Sequence, residues 1–87
     1  MTVYMVERNL KDIAMDDLAA AQKLAIQTSR EYSAKGTPMR YIRSTFAPED
    51  GRCMCLFEAG NAEDVKRLND EAKLPYLNVV EALDLTP

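Results

Sequence analysis

Residues 39–59, MRYIRSTFAPEDGRCMCLFEA, decide the fold of this 87-residue chain. Two runs rich in β-branched and aromatic residues flank the segment 47–51, APEDG. Its proline sets φ, and its Asp-Gly pair tolerates a positive φ, so the segment is typical of a turn. The stretch therefore predicts a β-hairpin, with its first arm over residues 39–46. Its second arm, RCMCLFEA, contains both cysteines of the chain and ends close to a glutamate.

The sequence before the hairpin predicts one strand and one helix. Residues 2–8, TVYMVER, alternate in polarity and favour a strand. Asp16 is expected to cap a helix that ends at Gly36, where glycine can adopt the left-handed conformation. Alanines along this helix would allow it to pack closely against a sheet.

The sequence after the hairpin predicts a second helix and a last strand. Asn61 and Asp64 resemble a capping box at the start of a helix over residues 62–73. Pro75 ends that helix, and PYLNVVEAL is typical of a strand. The predicted order is therefore β-α-β-β-α-β.

This order predicts an α+β fold of the ferredoxin-like type, in a single domain over residues 1–87. We expect an antiparallel sheet with two helices on one face. Right-handed crossovers lead us to expect strands one and three to lie side by side, parallel, in the centre of the sheet. The other face of the sheet would have no helix on it.

Composition excludes several functional classes. The chain has 14 acidic and 11 scattered basic residues, with a net charge of −3, so we expect no nucleic-acid partner. It lacks a long apolar run and a signal-peptide pattern, and two cysteines do not make a disulfide framework. We therefore expect a cytoplasmic protein with no membrane contact. It contains no histidine, the commonest metal ligand and general base.

Alternation along the strands predicts an apolar patch on the face without helices. If Val6, Cys55 and Phe57 face the helices, the other face carries apolar side chains from both central strands. These side chains are Val3, Met5, Met54 and Leu56. Monomers seldom expose such a patch, so we predict a homodimer that packs the two open faces together, as in a dimeric α+β barrel.

The same face is predicted to hold a small-ligand site. With strands one and three parallel, Glu7 and Glu58 would lie at one end of the sheet. Tyr41 and Arg43, early in the antiparallel second strand, would approach them. A few polar groups converging beside an apolar surface are typical of a ligand pocket. In the simpler interpretation, Arg43 only forms an ion pair with Glu7 or Glu58 at the rim of the dimer.

Cys53 and Cys55 are predicted to be core residues of the second hairpin arm. Two residues apart on a strand, they project to one face, and free cysteine packs as a small apolar side chain. A metal site and a redox site are the alternatives. A closed zinc site needs four ligands, and the chain contains neither a second cysteine pair nor a histidine to complete one.

Three segments resemble those of a known family. They are YMVER at residues 4–8, CLFEA at residues 55–59, and an acidic helix that runs to Leu74 and Pro75. In order and spacing, over nearly the whole chain, they are similar to the small nickel-binding-protein-like family, a domain of unknown function. The resemblance implies a ferredoxin-like fold, a dimer and, in at least one branch, nickel binding.

The chain departs from this family at the expected metal ligands. The family pattern has histidines in the second strand and second helix, where this chain has Arg43 and Leu68. Its usual tryptophan corresponds to Tyr41, and its cysteine corresponds to Cys55. The resemblance therefore implies the fold and the dimer, whereas we expect no cofactor and nickel only as an alternative.

These observations predict a small binding or accessory protein with ligand-binding residues Glu7, Tyr41, Arg43 and Glu58. The first alternative is a nickel or other transition-metal protein whose ligands would be Cys55, Glu7 and Glu58. The second is an enzyme of the dimeric α+β barrel type, such as a monooxygenase or isomerase, that uses glutamate, tyrosine and arginine. Of these readings, the non-enzymatic ones are favoured.

Overall fold

The computed structural model describes residues 1–87 and has the element order that the sequence predicts. The fold is α+β and ferredoxin-like, with a four-stranded antiparallel sheet and two helices. The elements are β1 (Thr2–Asn9), α1 (Met15–Ala34), β2 (Met39–Ala47), β3 (Arg52–Ala59), α2 (Ala62–Glu71) and β4 (Asn78–Ala82).

The sheet order is β2-β3-β1-β4, so β1 and β3 are central, as the sequence predicts. Their predicted parallel orientation is wrong, because β1 and β3 pair antiparallel, with Val3 opposite Glu58 and Glu7 opposite Met54. The crossover through α1 makes β1 and β2 the parallel strands, with one strand between them. The tight hairpin then reverses the chain, so β3 enters that gap antiparallel to both neighbours.

The helix starts follow local chemistry only in part. Asn61 caps α2 as predicted, and its side chain accepts a hydrogen bond from the Asp64 amide at 2.9 Å. Asp16 does not cap α1, since that helix already begins at Met15 and its N-cap, Ala14, provides no side-chain bond. Asp16 instead lies in the first turn, where its negative charge interacts favourably with the positive end of the helix dipole.

A β-bulge in β2 decides which side chains face the helices. The pairing with β3 shifts between Tyr41, opposite Phe57, and Arg43, opposite Leu56. The extra residue, Ile42, displaces the alternation by one position. Tyr41 therefore joins the helix side, where its ring meets that of Phe57 edge-on at 5.5 Å. The prediction that Tyr41 lies on the face without helices is therefore wrong.

The core lies between the sheet and the helices. Val6, Phe57, Val65 and Leu68 are fully buried there, and both cysteines are buried beside them. The opposite side, which we call the open face, carries Val3, Met5, Met54 and Leu56, as predicted, all half-buried. No helix in the structure combines the length and apolar character needed to span a membrane.

Candidate functional site

The four predicted ligand-binding residues do not come together. Because β1 and β3 are antiparallel, Glu7 and Glu58 lie at opposite ends of their ladder. Tyr41 lies on the helix side of the sheet, and Arg43 lies on the open face. The constellation that the sequence predicted depended on the parallel orientation and on an unbroken alternation in β2, and neither is present.

Each predicted charge on the open face has a separate partner. Glu58 pairs with Arg40 at 3.2 Å, and Arg43 pairs with Asp84, also at 3.2 Å. Glu7 accepts a hydrogen bond from the side-chain nitrogen Nδ2 of Asn78. Asp84 follows the edge strand β4 and reaches β2 at the other edge, so the C-terminal segment crosses the open face.

The alternative metal ligands are also separated. Cys55 is buried on the helix side, whereas the register places Glu7 and Glu58 on the open face and at opposite ends. No three histidine, cysteine, aspartate or glutamate side chains in the structure come close enough to hold a metal ion. Cys55, Glu7 and Glu58 therefore do not form one metal site within a single chain.

A different cavity lies on the helix side, between α1 and the sheet. We call it the helix-face cavity, and its volume is about 170 Å³. Most of its lining is apolar, and a few polar groups enter it from the strands. The lining residues are Arg8, Leu10, Leu18, Ala21, Gln22, Ala25, Tyr41, Ser44, Phe46, Cys53, Cys55, Leu74 and Pro75.

The polar groups of the cavity form a connected chain from its rim to its floor. At the rim, the exposed Gln22 donates to the Tyr41 hydroxyl at 3.1 Å. The Tyr41 hydroxyl is hydrogen-bonded to that of Ser44. Ser44 in turn lies 3.0 Å from the Cys55 sulfur and donates to it. Hydrogen bonds therefore connect the solvent edge to a buried thiol.

Arg8 is a buried cation with no carboxylate partner. Only 6% of this residue is exposed, and none of the ion pairs in the structure includes it. Its guanidinium donates to the Asn69 side-chain oxygen at 2.7 Å, to the backbone oxygens of Leu74 and Pro75, and to Cys55 Sγ at 3.5 Å. A buried charge is costly without compensation, so its surroundings favour an anion nearby.

The two cysteine thiols lie next to each other beside this cation. Their sulfurs are 3.9 Å apart. The hydrogen bond from Cys53 lowers the pKa of Cys55 to about 5, with further lowering by the Arg8 charge and by the bonds from Ser44 and Arg8, against the opposing effect of burial. The same bond to Cys55, together with burial, raises the pKa of Cys53. These surroundings therefore favour the thiolate at Cys55 and the protonated thiol at Cys53.

Sequence reasoning missed Arg8 although a signal was present. Alternation placed Arg8 in the same set as Val6, on the helix side of β1, and a charged residue there is unusual because arginine is seldom buried unpaired. Asn69, its strongest neutral partner, carried no comparable signal, because a single asparagine on a helix shows no preference for burial before the packing is known.

Fold and site together define a ferredoxin-like α+β protein with an apolar cavity that contains a thiol pair and a buried arginine without a carboxylate partner. The chain belongs to the family described as nickel responsive protein SCO4226-like, whose model matches residues 4–82. The predicted resemblance to nickel-binding-type proteins is thereby confirmed. No curated protein matches the chain.

A solved structure shares the fold. It is the crystal structure of SCO4226 from Streptomyces coelicolor A3(2), with a TM-score of 0.79. The match covers 97% of this chain and 99% of that chain, at 19% sequence identity. At this level of identity the likeness establishes the fold.

Proposed function

We propose that this protein is a small binding protein whose ligand occupies the helix-face cavity. The observation that carries the proposal is the combination of an apolar lining with the connected polar groups of Tyr41, Ser44 and Arg8. Apolar cavities with a few placed polar groups are the usual form of a small-molecule site. The cavity replaces the open-face pocket as the ligand site, since the residues of that pocket are dispersed.

The size of the cavity restricts the ligand class. Drug-sized ligands occupy about 300–1,000 Å³, so a space of about 170 Å³ suits a molecule of roughly ten non-hydrogen atoms or fewer. An engineered apolar cavity of about 150 Å³ takes up benzene. The hydroxyls and the cation favour an acceptor group at one end of the molecule. The proposed ligand is therefore a small, largely apolar molecule with one polar or anionic group.

Benzoate, benzamide and benzene test this class directly. Titration of ¹⁵N-labelled protein with each probe is expected to shift the amide signals of Ala21, Ala25 and Tyr41, with benzoate or benzamide binding more tightly than benzene. Equal affinities for the three probes would show that the polar groups of the cavity do not contribute to binding. Absence of shifts at these residues for all three would refute the cavity as a ligand site.

A matched pair of variants on α1 separates cavity binding from surface binding. Ala21→Phe fills the cavity, whereas Ala20→Phe adds the same ring to the exposed side of the helix. We expect Ala21→Phe to abolish probe binding and Ala20→Phe to leave it unchanged. Retention of binding in Ala21→Phe would place the ligand elsewhere.

A second copy of the chain is proposed to cover the open face. Val3, Met5, Met54 and Leu56 form a half-buried apolar surface there, and Val80 on β4 is 42% exposed. Such a surface is typical of an interface. Sedimentation at micromolar concentration is expected to show a dimer, and Leu56→Glu is expected to give a monomer. Ala20→Glu, on the opposite side of the molecule, provides the control; a monomeric parent protein would refute the interface.

Nickel is the alternative ligand, because family membership favours it. Since the donors of one chain do not converge, a nickel site would need donors from two chains across the proposed interface. Equilibrium dialysis of the dimer against Ni²⁺ tests this alternative. Near-stoichiometric binding that is lost in Glu7→Gln or Glu58→Gln supports it, whereas loss only in Cys55→Ser would place the metal on the helix side.

A further inference from the structure

Cys53 and Cys55 meet the geometric requirements of a chemical site as well as those of a packed core. Both sulfurs border the helix-face cavity, and they are 3.9 Å apart. Cys55 receives hydrogen bonds from Ser44 on one side and from the buried Arg8 on the other. Reactive cysteines lie in electropositive surroundings that a reagent can reach. Here Arg8 provides the positive charge and the helix-face cavity provides the access, although both cysteines are otherwise buried.

We propose that Cys53 and Cys55 form a redox-active dithiol in which Cys55 reduces a small hydroperoxide and Cys53 resolves the product as a disulfide. The substrate class is hydrogen peroxide or a similarly small alkyl hydroperoxide, because the cavity has a volume of about 170 Å³. The inference goes beyond the proposed function and does not depend on it.

The first step consumes the peroxide. The Cys55 thiolate attacks one peroxide oxygen, an S–O bond forms and the O–O bond breaks. The departing hydroxide or alkoxide takes up the proton that the thiol released to solvent, so the products are a sulfenic acid and water or an alcohol. Arg8 and Ser44 hold the sulfur as an anion by charge and by hydrogen bonding. The lowered pKa of Cys55 agrees with that arrangement.

The second step closes the disulfide. The Cys53 sulfur attacks Cys55, an S–S bond forms, and the S–O bond breaks with loss of water that carries the Cys53 proton. Residues two apart on a strand have Cα atoms about 6.6 Å apart, at the upper end of the range of about 4.4–6.8 Å that disulfides span, and their side chains run parallel. Closing the bond therefore requires β3 to bend at Met54 so that the two Cβ atoms approach each other. The position near the upper limit predicts a labile disulfide that a small external thiol reduces, with transfer of two hydrogens back to the cysteines.

The charged and titratable groups around Cys55 are few. β1 provides Arg8, β2 provides Tyr41 and β3 provides Cys53, while α1 contributes only Leu18, Ala21, Gln22 and Ala25. No carboxylate borders the cavity, so no nearby negative charge opposes formation of the thiolate. Arg8 therefore provides the dominant fixed charge at the sulfur.

Reaction of the reduced protein with hydrogen peroxide, followed by peptide mass spectrometry, tests the proposal. We expect a disulfide between Cys53 and Cys55, seen as loss of two hydrogens from their peptide and reversed by dithiothreitol. Cys53→Ser is expected to stop at the sulfenic acid, trapped by dimedone on residue 55. Cys55→Ser is expected to lose the rapid reaction. A sulfenic acid on Cys53 in the parent protein, or no disulfide, would overturn the proposal.

The same chain unfolded in urea provides the reference rate, because it contains the same thiols without the site. Folded protein is expected to oxidise at least about tenfold faster than the unfolded chain, owing to its larger thiolate fraction near neutral pH. An equal or slower rate in the folded state would show that burial alone governs these thiols and would refute the site.

Ser44 gives a finer test of the environment. Ser44→Ala removes one donor to the sulfur and is expected to slow oxidation about fivefold, consistent with loss of one hydrogen bond. Ser44→Thr retains the hydroxyl and is expected to restore the rate. If both variants react at the parent rate, the hydroxyl has no part in the reaction. Circular dichroism of each variant monitors the fold.

Discussion

The two faces of the sheet contain similar residue types in opposite environments. On the helix side, Arg8 is 6% exposed and is held by neutral acceptors. On the open face, the side chains of Arg40 and Arg43 are 59% and 54% exposed and each pairs with a carboxylate. The comparison shows that the arginines with carboxylate partners, Arg40 and Arg43, are weaker candidates for function than Arg8, which has none. The buried Arg8 has no carboxylate partner and favours an anion such as the Cys55 thiolate beside it, whereas the exposed arginines already have carboxylate partners.

The two faces of the sheet are expected to differ most in how much a truncated apolar side chain lowers the free energy of unfolding. Phe57 is fully buried and contacts Tyr41, so Phe57→Ala is expected to lower the free energy of unfolding by about 3–5 kcal/mol. The adjacent Leu56 is half-buried on the open face, and Leu56→Ala is expected to cost less than about 2 kcal/mol. Urea denaturation measures both. Equal losses would show that the open face is as well packed as the core.

The second contrast compares the arginines. Arg8→Met leaves the Asn69 oxygen and the carbonyls of Leu74 and Pro75 without their donor, and we expect a loss of about 2–4 kcal/mol. Arg40→Met removes an exposed ion pair with Glu58 and is expected to cost less than about 1 kcal/mol. Thermal unfolding of the two variants compares them. A stable Arg8→Met protein would mean that these acceptors find other partners.

The third contrast concerns the pH dependence of the thiols. Because only the thiolate alkylates, the rate with iodoacetamide falls as pH decreases through the pKa of the folded state. We expect the midpoint for Cys55 at least about one pH unit below the ordinary value near 8.5, equivalent to about 1.4 kcal/mol. Cys53→Ser keeps a donor beside Cys55 and is expected to leave the midpoint low, whereas Cys53→Ala removes the donor and is expected to raise it. A parent midpoint near 8.5 would contradict the lowering of the Cys55 pKa by Cys53, Arg8 and Ser44.

The smallest effect is expected on the open face, at the C-terminal segment. Asp84→Asn removes the pair with Arg43, whose side chain is 54% exposed, and is expected to change stability by less than about 1 kcal/mol. Added salt should reduce the difference between variant and parent, because exposed pairs are screened. A larger, salt-insensitive loss in chemical denaturation would show that this pair anchors the segment across the sheet.

Local patterns in the sequence were sufficient for the elements and for part of the burial. Alternation correctly placed Val6, Cys55 and Phe57 on the helix side and left Met5 and Leu56 on the other. The cap at Asn61 and the hairpin turn also follow from short-range chemistry. These features depend on neighbouring residues, and such information is contained in the chain itself.

The candidate site could not be predicted from the same patterns, because it depends on strand direction and on one inserted residue. Glu7 and Glu58 are separated by the antiparallel register, and Tyr41 changes face at the bulge beside Ile42. Neither the direction of a strand nor a single inserted residue produces a periodic pattern in the sequence. The grouping of polar residues was therefore wrong, although the fold that contains them was right.

The sequence by itself determined the ferredoxin-like order of elements, the family and the buried positions of the two cysteines. Only the tertiary structure decided that Arg8 reaches Cys55, Asn69 and the segment after α2 without a carboxylate. Helices and turns arise from interactions a few residues apart. The environment of a buried charge arises from groups 47 to 67 positions away in the chain, which only packing brings together.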